Sequence, residues 1–338
     1  MIIRSKAPYR VSTGGGGTDM EPYCIEHGGC VISTTIDRYV HITIKPRADK
    51  KIHVNSIDYN SEMTFDVGDD NYEKGFELFK GIVNVLKIDE GFDITTYSEL
   101  PPGSGMGGSS TLSVALIGAF NQYYNYELTP HEIATKAYEI ERIELKQKGG
   151  YQDQFAAAYG GFNFMEFTRE VKVTPIQMSQ EMKNELQFRL ILCYVGGSHF
   201  SSDIQEEVLK GYKVEKKSYI EAMQDLKDVA HSMRRILESN KIEELNKFGT
   251  LLHDGWLAKK SLSAKISNKD VENFYLTSRN HGVLGGKLLG AGGGGHLLLF
   301  ADPDNRYQVI RELEKIGGKI VNFHFNPKGV EAWKIKEK

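Results

Sequence analysis

The chain has 338 residues, 40% hydrophobic and 26% charged, an ordinary globular balance long enough for two subdomains. With 42 Lys and Arg against 45 Asp and Glu the net charge is −3, so nothing attracts the protein generally to nucleic acid or to an anionic membrane. No apolar run approaches the ~20 residues a membrane helix needs, and the first residues lack a secretory h-region. Cys24, Cys30 and Cys193 are odd in number and fit no zinc spacing. Reduced thiols in a soluble, cytoplasmic protein are the expectation.

In chain order, Cys30 to Ile36 and Tyr39 to Lys45 are rich in Val, Ile and Thr and flank Asp37–Arg38, which predicts a hairpin. After a glycine cluster at 103–108, Leu112, Ala115, Leu116, Ala119, Phe120 and Tyr123 recur at helical spacing. The next helix starts at Thr129 as N-cap, with Pro130 at its first position and Glu132 completing a capping box, and is expected to run to about Lys146. Gly161 to Phe167 and Arg189 to Val195 read as strands, and Ser218 to Trp256 as helices broken near Ser239–Asn240. The end alternates: helix near Val271 to Arg279, strand at His296 to Phe300, helix near Arg306 to Ile316, strand at Lys319 to Phe325. This is an α+β pattern, with a division expected between residues 1–180 and 181–338.

The 35 glycines concentrate at Gly14–Gly17, at Gly103, Gly105, Gly107 and Gly108, and at Gly290 with Gly292–Gly295. The run Pro102, Gly103, Ser104, Gly105, Met106, Gly107, Gly108, Ser109, Ser110 lets backbone N–H groups turn toward one concave spot, and the helix after it adds its positive end. That is a cradle for a polyphosphate, with the Ser109 and Ser110 hydroxyls placed for phosphate or Mg²⁺; the bland alternative is a flexible loop with a serine cap. It is no Walker A loop, since no Gly-Lys-Ser/Thr follows, and no dinucleotide fingerprint, since the acidic residue about 20 positions on is missing. Glu141 lies beside the apolar stripe of Ile133, Ala137 and Ile140, where a carboxylate needs a partner: a metal ion, or a lysine such as Lys136 or Lys148.

The run from Pro101 to Ser110 resembles the phosphate loop of the GHMP kinases, the superfamily of galactokinase, homoserine kinase, mevalonate kinase and phosphomevalonate kinase. Lys6-Ala-Pro-Tyr-Arg-Val-Ser-Thr-Gly-Gly-Gly-Gly-Thr-Asp19 is similar to its first motif, and Lys287-Leu-Leu-Gly-Ala-Gly-Gly-Gly-Gly-His296 to its third. The resemblance implies an N-terminal domain like domain 2 of ribosomal protein S5, a ferredoxin-like C-terminal domain, and ATP and Mg²⁺ as cofactors. Gly149-Gly-Tyr-Gln-Asp-Gln-Phe155 is similar to the segment carrying the superfamily's catalytic aspartate, which implies that Asp153 takes the proton of the attacking hydroxyl. A turn aspartate is the alternative. Arg10 is implied beside it, offsetting charge on the phosphate oxygens, against the alternative of a surface arginine. Ser109 and Glu141 match the metal-holding places, with Glu144 in reserve. The glycines at 290–295 are expected to bring the C-terminal half against the phosphate loop, or simply to make a bend.

Gly17, Thr18 and Asp19 are implied to bind substrate, Asp19 accepting from a sugar hydroxyl; capping a short helix from Met20 is the alternative. The first motif most resembles a branch of sugar 1-kinases acting on a heptose 7-phosphate, with fucokinase-like enzymes for free sugars as the alternative. Galactokinases carry Gly-Glu-His-Thr-Asp where this chain has Gly-Gly-Gly-Thr-Asp. A phosphorylated substrate needs a second anion site, for which Arg38, Lys45, Arg47, Lys146, Lys148 and the loop 196–202 are candidates. The sequence is silent on oligomeric state, a homodimer included.

Overall fold

The computed structural model describes residues 1–72, 75–197, 201–213 and 217–336. Strand β1 (Ile2–Gly14) is buried from Ala7 onward. A short helix, α1 (Tyr23–His27), leads into β2 (Gly29–Arg47), antiparallel to β1. The expected hairpin is absent, because β2 is one continuous strand of 19 residues. Neither Asp37 nor Arg38 has the positive φ that a tight two-residue turn requires. Asp37 instead binds a distant segment: its N–H donates to His324 O at 2.9 Å and its Oδ1 accepts from His324 N at 2.7 Å.

Strand β2 changes partner there rather than direction. The strands β3 (Lys51–Ser56) and β4 (Ser61–Asp66) pair antiparallel, and β5 (Gly91–Ser98) lies between β2 and β3. The near end of β2, Gly29–Ser33, pairs with β6 (Asn163–Phe167), which pairs in turn with β7 (Val171–Pro175). Helices α2 (Glu77–Val85), α3 (Gly108–Tyr124), α4 (Pro130–Tyr138) and α5 (Gln152–Tyr159) accompany this sheet. Helix α3 is buried almost all round, from Val114 to Phe120, which matches its unbroken run of small and apolar residues. The capping box of α4 forms as expected, with Glu132 Oε2 accepting from Thr129 N at 2.8 Å. The helix does not continue as α to Lys146: Glu139–Glu144 is a π-helix, a wider turn that resets which residues face inward.

The second half contains α6 (Gln180–Arg189), β8 (Leu190–Tyr194), α7 (Ser201–Lys213), α8 (Lys217–Ser239), α9 (Leu245–Ser261), α10 (Lys269–Asn280), β9 (Val283–Leu288), β10 (His296–Ala301), α11 (Arg306–Lys315) and β11 (Lys319–Ile320). The strands form a four-stranded antiparallel sheet in the order β11-β8-β10-β9. Strand β11 stops at Ile320, short of the expected Phe325, because the following segment leaves the sheet to reach Ile36 and Asp37 of β2. The last strand, β12 (Glu331–Ile335), returns to the first sheet and pairs with β1, Ile2 opposite Ile335. The expected 181–338 unit therefore departs from the structure at its end: the free edge of β1 offers a ladder that the C-terminus completes. Val229 and Met233 of α8 and Phe248 of α9 also join the core cluster of the first sheet, so the halves share apolar packing. The three thiols are buried, and burial pushes each up to about 12, which leaves them without thiolate nucleophiles at neutral pH. Among the described residues no helix is long and apolar enough to cross a membrane.

Candidate active site

Arg10, on β1, is buried rather than displayed at the surface. Its Nε donates to Asp153 Oδ1 at 2.8 Å, and its Nη1 donates to Gly105 O at 2.9 Å. One guanidinium thus ties β1 to the first turn of α5 and to the glycine loop that opens α3. Asp153 is no turn aspartate; it lies in the first turn of α5, where the helix dipole favours a carboxylate.

The loop from Pro102 to Gly107 turns through left-handed backbone at Gly103, Gly105 and Gly107. A Cβ on Gly107 would lie 3.1 Å from the Asp153 carboxyl, so loop and carboxylate are in direct contact. Ser104 and Met106 are buried, Pro102 and Ser109 exposed, and Gly108 begins α3, whose first N–H groups face out of the loop. The third glycine cluster closes on this loop as expected. A Cβ on Gly290 would come within 2.6 Å of Gly105 O, and one on Gly105 within 2.7 Å of Leu289 O. His296 reinforces the join, donating from Nδ1 to Ser104 O at 2.7 Å.

Asp19 does not cap a helix at Met20; α1 begins at Tyr23 with Pro22 before it. The Asp19 carboxylate accepts from Gly17 N at 3.0 Å, from Gln152 N at 3.0 Å and from Gln152 Nε2 at 3.2 Å. It stands one residue from Asp153 through Gln152, and burial pushes its carboxyl up, opposed by the Gln152 N–H and aided by Asp153. Thr18 is turned inward, its hydroxyl bonded to Gly15 O at 2.8 Å and Cys30 O at 3.0 Å, which fits a structural tie rather than a substrate contact.

Glu141 is 1% exposed on the π-helix. The hydroxyl that reaches it is that of Ser110, donating to Oε2 at 2.8 Å; Ser109, paired with it in the sequence reading, points to solvent. One helical position separates the two serines, enough to swap inside for outside. The cation beside Glu141 is Arg142 at 3.4 Å, not Lys136 or Lys148. Oε1 has no hydrogen-bond partner among the described residues, and burial pushes the carboxyl up against the pull of Arg142. Glu144 is exposed and accepts from Tyr72 at 2.6 Å, remote from that role.

Of the second-anion candidates, Arg47 is engaged by Asp49 at 2.8 Å and Asp93 at 2.6 Å, and Arg38 by the Asp37 and Asn322 carbonyls. Lys146 and Lys148 are exposed, and residues 198–200 of the loop 196–202 lie outside the described residues. The structure adds two cations that the sequence reading left without a role, Lys259 of α9 and Lys287 of β9, both buried. A lysine in a strand otherwise made of Val, Leu and Gly was the available signal for Lys287.

The comparisons with known proteins agree with this geometry. Residues 77–161 match the GHMP kinases N terminal domain and residues 222–319 match GHMP kinases C terminal. The chain belongs to the GHMP kinases, ATP-dependent kinases. Within them, it is 39% identical to D-glycero-alpha-D-manno-heptose 7-phosphate kinase of Campylobacter jejuni, over 98% of this chain and 99% of that protein. A crystal structure described as a D-glycero-D-manno-heptose 1-phosphate kinase from Bacteroides thetaiotaomicron superposes with a TM-score of 0.81 at 30% identity, covering 99% and 100% of the two chains. The bifunctional fucokinase/GDP-fucose pyrophosphorylase of Arabidopsis thaliana is 26% identical over 90% of this chain and 30% of its own length.

Proposed function

We propose that this chain transfers the γ-phosphoryl group of ATP to the anomeric hydroxyl of D-glycero-D-manno-heptose 7-phosphate, giving the 1,7-bisphosphate. The chemistry rests on one observation: the 2.8 Å Arg10–Asp153 pair set directly against the glycine loop at Gly105 and Gly107. The choice of sugar rests on the similarity to the Campylobacter jejuni kinase. A cytoplasmic site of action fits an enzyme that draws on ATP.

In this reading the N–H groups of residues 103–110 and the N-terminus of α3 cradle the ATP phosphates. Asp19 orients the sugar by accepting from a hydroxyl, with Gln152 holding its carboxylate in place. Asp153 takes the proton of the anomeric hydroxyl as that oxygen bonds to the γ-phosphorus. The bond from phosphorus to the bridging oxygen breaks, and its electron pair leaves with ADP. Arg10 fixes the direction of Asp153 and offsets charge spreading over the phosphoryl oxygens.

Mg²⁺ fits the residues present. A buried carboxylate with an unpartnered Oε1, next to a serine hydroxyl, is an oxygen donor set suited to a hard cation. Glu141 and Ser110 would hold it, with Ser109 at the exposed rim, and a bound Mg²⁺ supplies neutralisation of phosphate charge.

The test is ADP release with ATP and Mg²⁺ against D-glycero-D-manno-heptose 7-phosphate, fucose, galactose, mannose and mevalonate, with Asp153→Ala as control. Turnover of the heptose phosphate alone, lost in the control, is the expected result. Turnover of a free sugar in preference to it, or full activity in Asp153→Ala, would refute the substrate or the catalytic assignment respectively.

A further inference from the structure

The described part of this chain buries three lysines to below a tenth exposure: Lys80, Lys259 and Lys287. Lys80 is compensated, with Asp69 at 2.8 Å and Asn71 O at 2.6 Å. Lys259 reaches only a carbonyl, that of Gly290. Lys287 is 3% exposed, and its side chain makes no hydrogen bond or ion pair among the described residues. The charges that act on it are Lys259, Arg10 and Asp19. Asp153 is taken by Arg10, and Asp19, oriented by the neutral donors Gly17 and Gln152, offers one carboxylate against two lysines.

Burying two ammonium groups around one carboxylate is unfavourable, and a fold has no structural reason to keep the second. The local chemistry lacks an anion. Its place is defined by the backbone: Lys259 holds Gly290 O, Gly290 packs on Gly105, and Gly105 O receives Arg10. Lys259 therefore lies across the phosphate-loop junction from the Arg10–Asp153 pair, and Lys287 stands on β9 three residues before Gly290. Ser12 lies two residues along β1 from Arg10, on the same face, and its buried Oγ has no partner among the described residues. Burial and the neighbouring cations push Lys287 well below the ordinary lysine value, and Lys259 down to about 8; an arriving dianion would reverse both.

We propose that Lys287 and Lys259 form a phosphoryl-dianion subsite, faced by Arg10 and Ser12, that holds the phosphoryl group in passage from ATP to the sugar. This rests on the phosphoryl-transfer reading above. The lysines keep their protons and supply charge only: the sugar oxygen–phosphorus bond forms, the bond to ADP breaks with its electron pair leaving on ADP, and the hydroxyl proton goes to Asp153. The same chemistry would suit the phosphate that a sugar substrate already carries, and the experiment separates the two sources.

The test compares Lys287→Met and Lys259→Met with the wild type in three readouts. First, Lys287→Met melts at a higher temperature than the wild type without ligand, because it removes one of two buried ammonium groups that share a single carboxylate; a structural lysine would lower the melting temperature. Second, inorganic phosphate raises the wild-type melting temperature but not that of Lys287→Met, a readout that needs no sugar and stands even if the sugar assignment fails. Third, if the subsite holds the group in transfer, kcat falls at least a hundredfold while the Kd for the sugar phosphate without nucleotide stays within threefold. If instead it holds the sugar's own phosphate, that Kd rises at least thirtyfold while kcat at saturating sugar phosphate stays within threefold of wild type. A lowered melting temperature, retained response to phosphate, and kcat and Kd both within threefold of wild type would overturn the proposal.

Discussion

The Arg10–Asp153 pair can be tested as a unit by a double-mutant cycle of Arg10→Met, Asp153→Asn and both together. At 2.8 Å, Coulomb attraction at an effective dielectric constant of 20 is about 6 kcal/mol. That is an upper figure, because the Asp153 side chain is 22% exposed. Arg10→Met leaves a partly exposed carboxylate, whereas Asp153→Asn leaves a buried guanidinium that keeps only the Gly105 carbonyl. Removing one partner of such a pair should cost about 3 kcal/mol of stability, and the asymmetry of exposure makes Asp153→Asn the more costly. The double variant, with both charges gone, should recover part of that loss. In turnover, Asp153→Asn should lower kcat by about 10²–10⁴-fold, and Arg10→Met by about 10²–10³-fold. Because Arg10 acts largely through Asp153, the double variant should be no slower than the slower single one. Urea melts and ADP release at saturating substrates measure both cycles. Stabilities that add within about 0.5 kcal/mol, together with kcat losses that multiply, would refute the claim that the two residues form one device.

Three further outcomes follow from the same geometry. Gly290→Ala places a Cβ 2.6 Å from Gly105 O at φ +74, so it should raise the KM for ATP and cost more than the same change at Gly68 (φ +85, open space), where only left-handed strain of about 1–2 kcal/mol applies; equal losses and an unchanged KM would be contrary results. Glu141→Gln keeps the shape and removes a charge that burial disfavours, so at pH 7 without Mg²⁺ the variant should be at least as stable as the wild type, yet need far more Mg²⁺ for turnover; a destabilised variant with an unchanged Mg²⁺ titration would mean a purely structural carboxylate. Lys259 has a folded value of about 8 against 10.5 unfolded, so the unfolded chain binds more protons between those pH values and the lysine's share of stability rises with pH across that window, by about 3 kcal/mol in all. Tyrosines and cysteines pushed up by burial act oppositely there, so the quantity to measure is the wild-type minus Lys259→Met difference; a flat difference from pH 7.5 to 10.5 would contradict the buried cation.

Local rules carried the sequence reading a long way. The capping box at Thr129 and Glu132, the helix after Gly107 and the break at Asn240 are each decided by a few neighbouring residues, and the structure keeps them. The failures have a common origin in distant partners. Asp37–Arg38 looked like a turn because its real partners, Asn322 and His324, lie almost 290 residues away. Strand β12 went unseen because a short, half-exposed strand has little signal until the edge of β1 is there to receive it. The same distance explains the swap of Ser109 for Ser110: a motif gives the neighbourhood, but one residue of helix rotation, together with the π-turn that aims Glu141, decides which hydroxyl arrives.

Lys259 and Lys287 mark the other boundary of legibility. A lysine's charge is visible in sequence; whether that charge is answered is not. Lys80 and Lys287 are almost equally buried, and nothing within either local sequence separates the lysine with an aspartate at 2.8 Å from the one with none. Only the sum over every element packed around the site exposes the imbalance: Arg10 is matched by Asp153, and the single carboxylate of Asp19, held by neutral donors, stands against two ammonium groups. A deficit of negative charge at buried residues beside a polyphosphate-type loop is a property of the assembled site. It is also the property that a phosphoryl group, arriving with its own two charges, is chemically suited to correct.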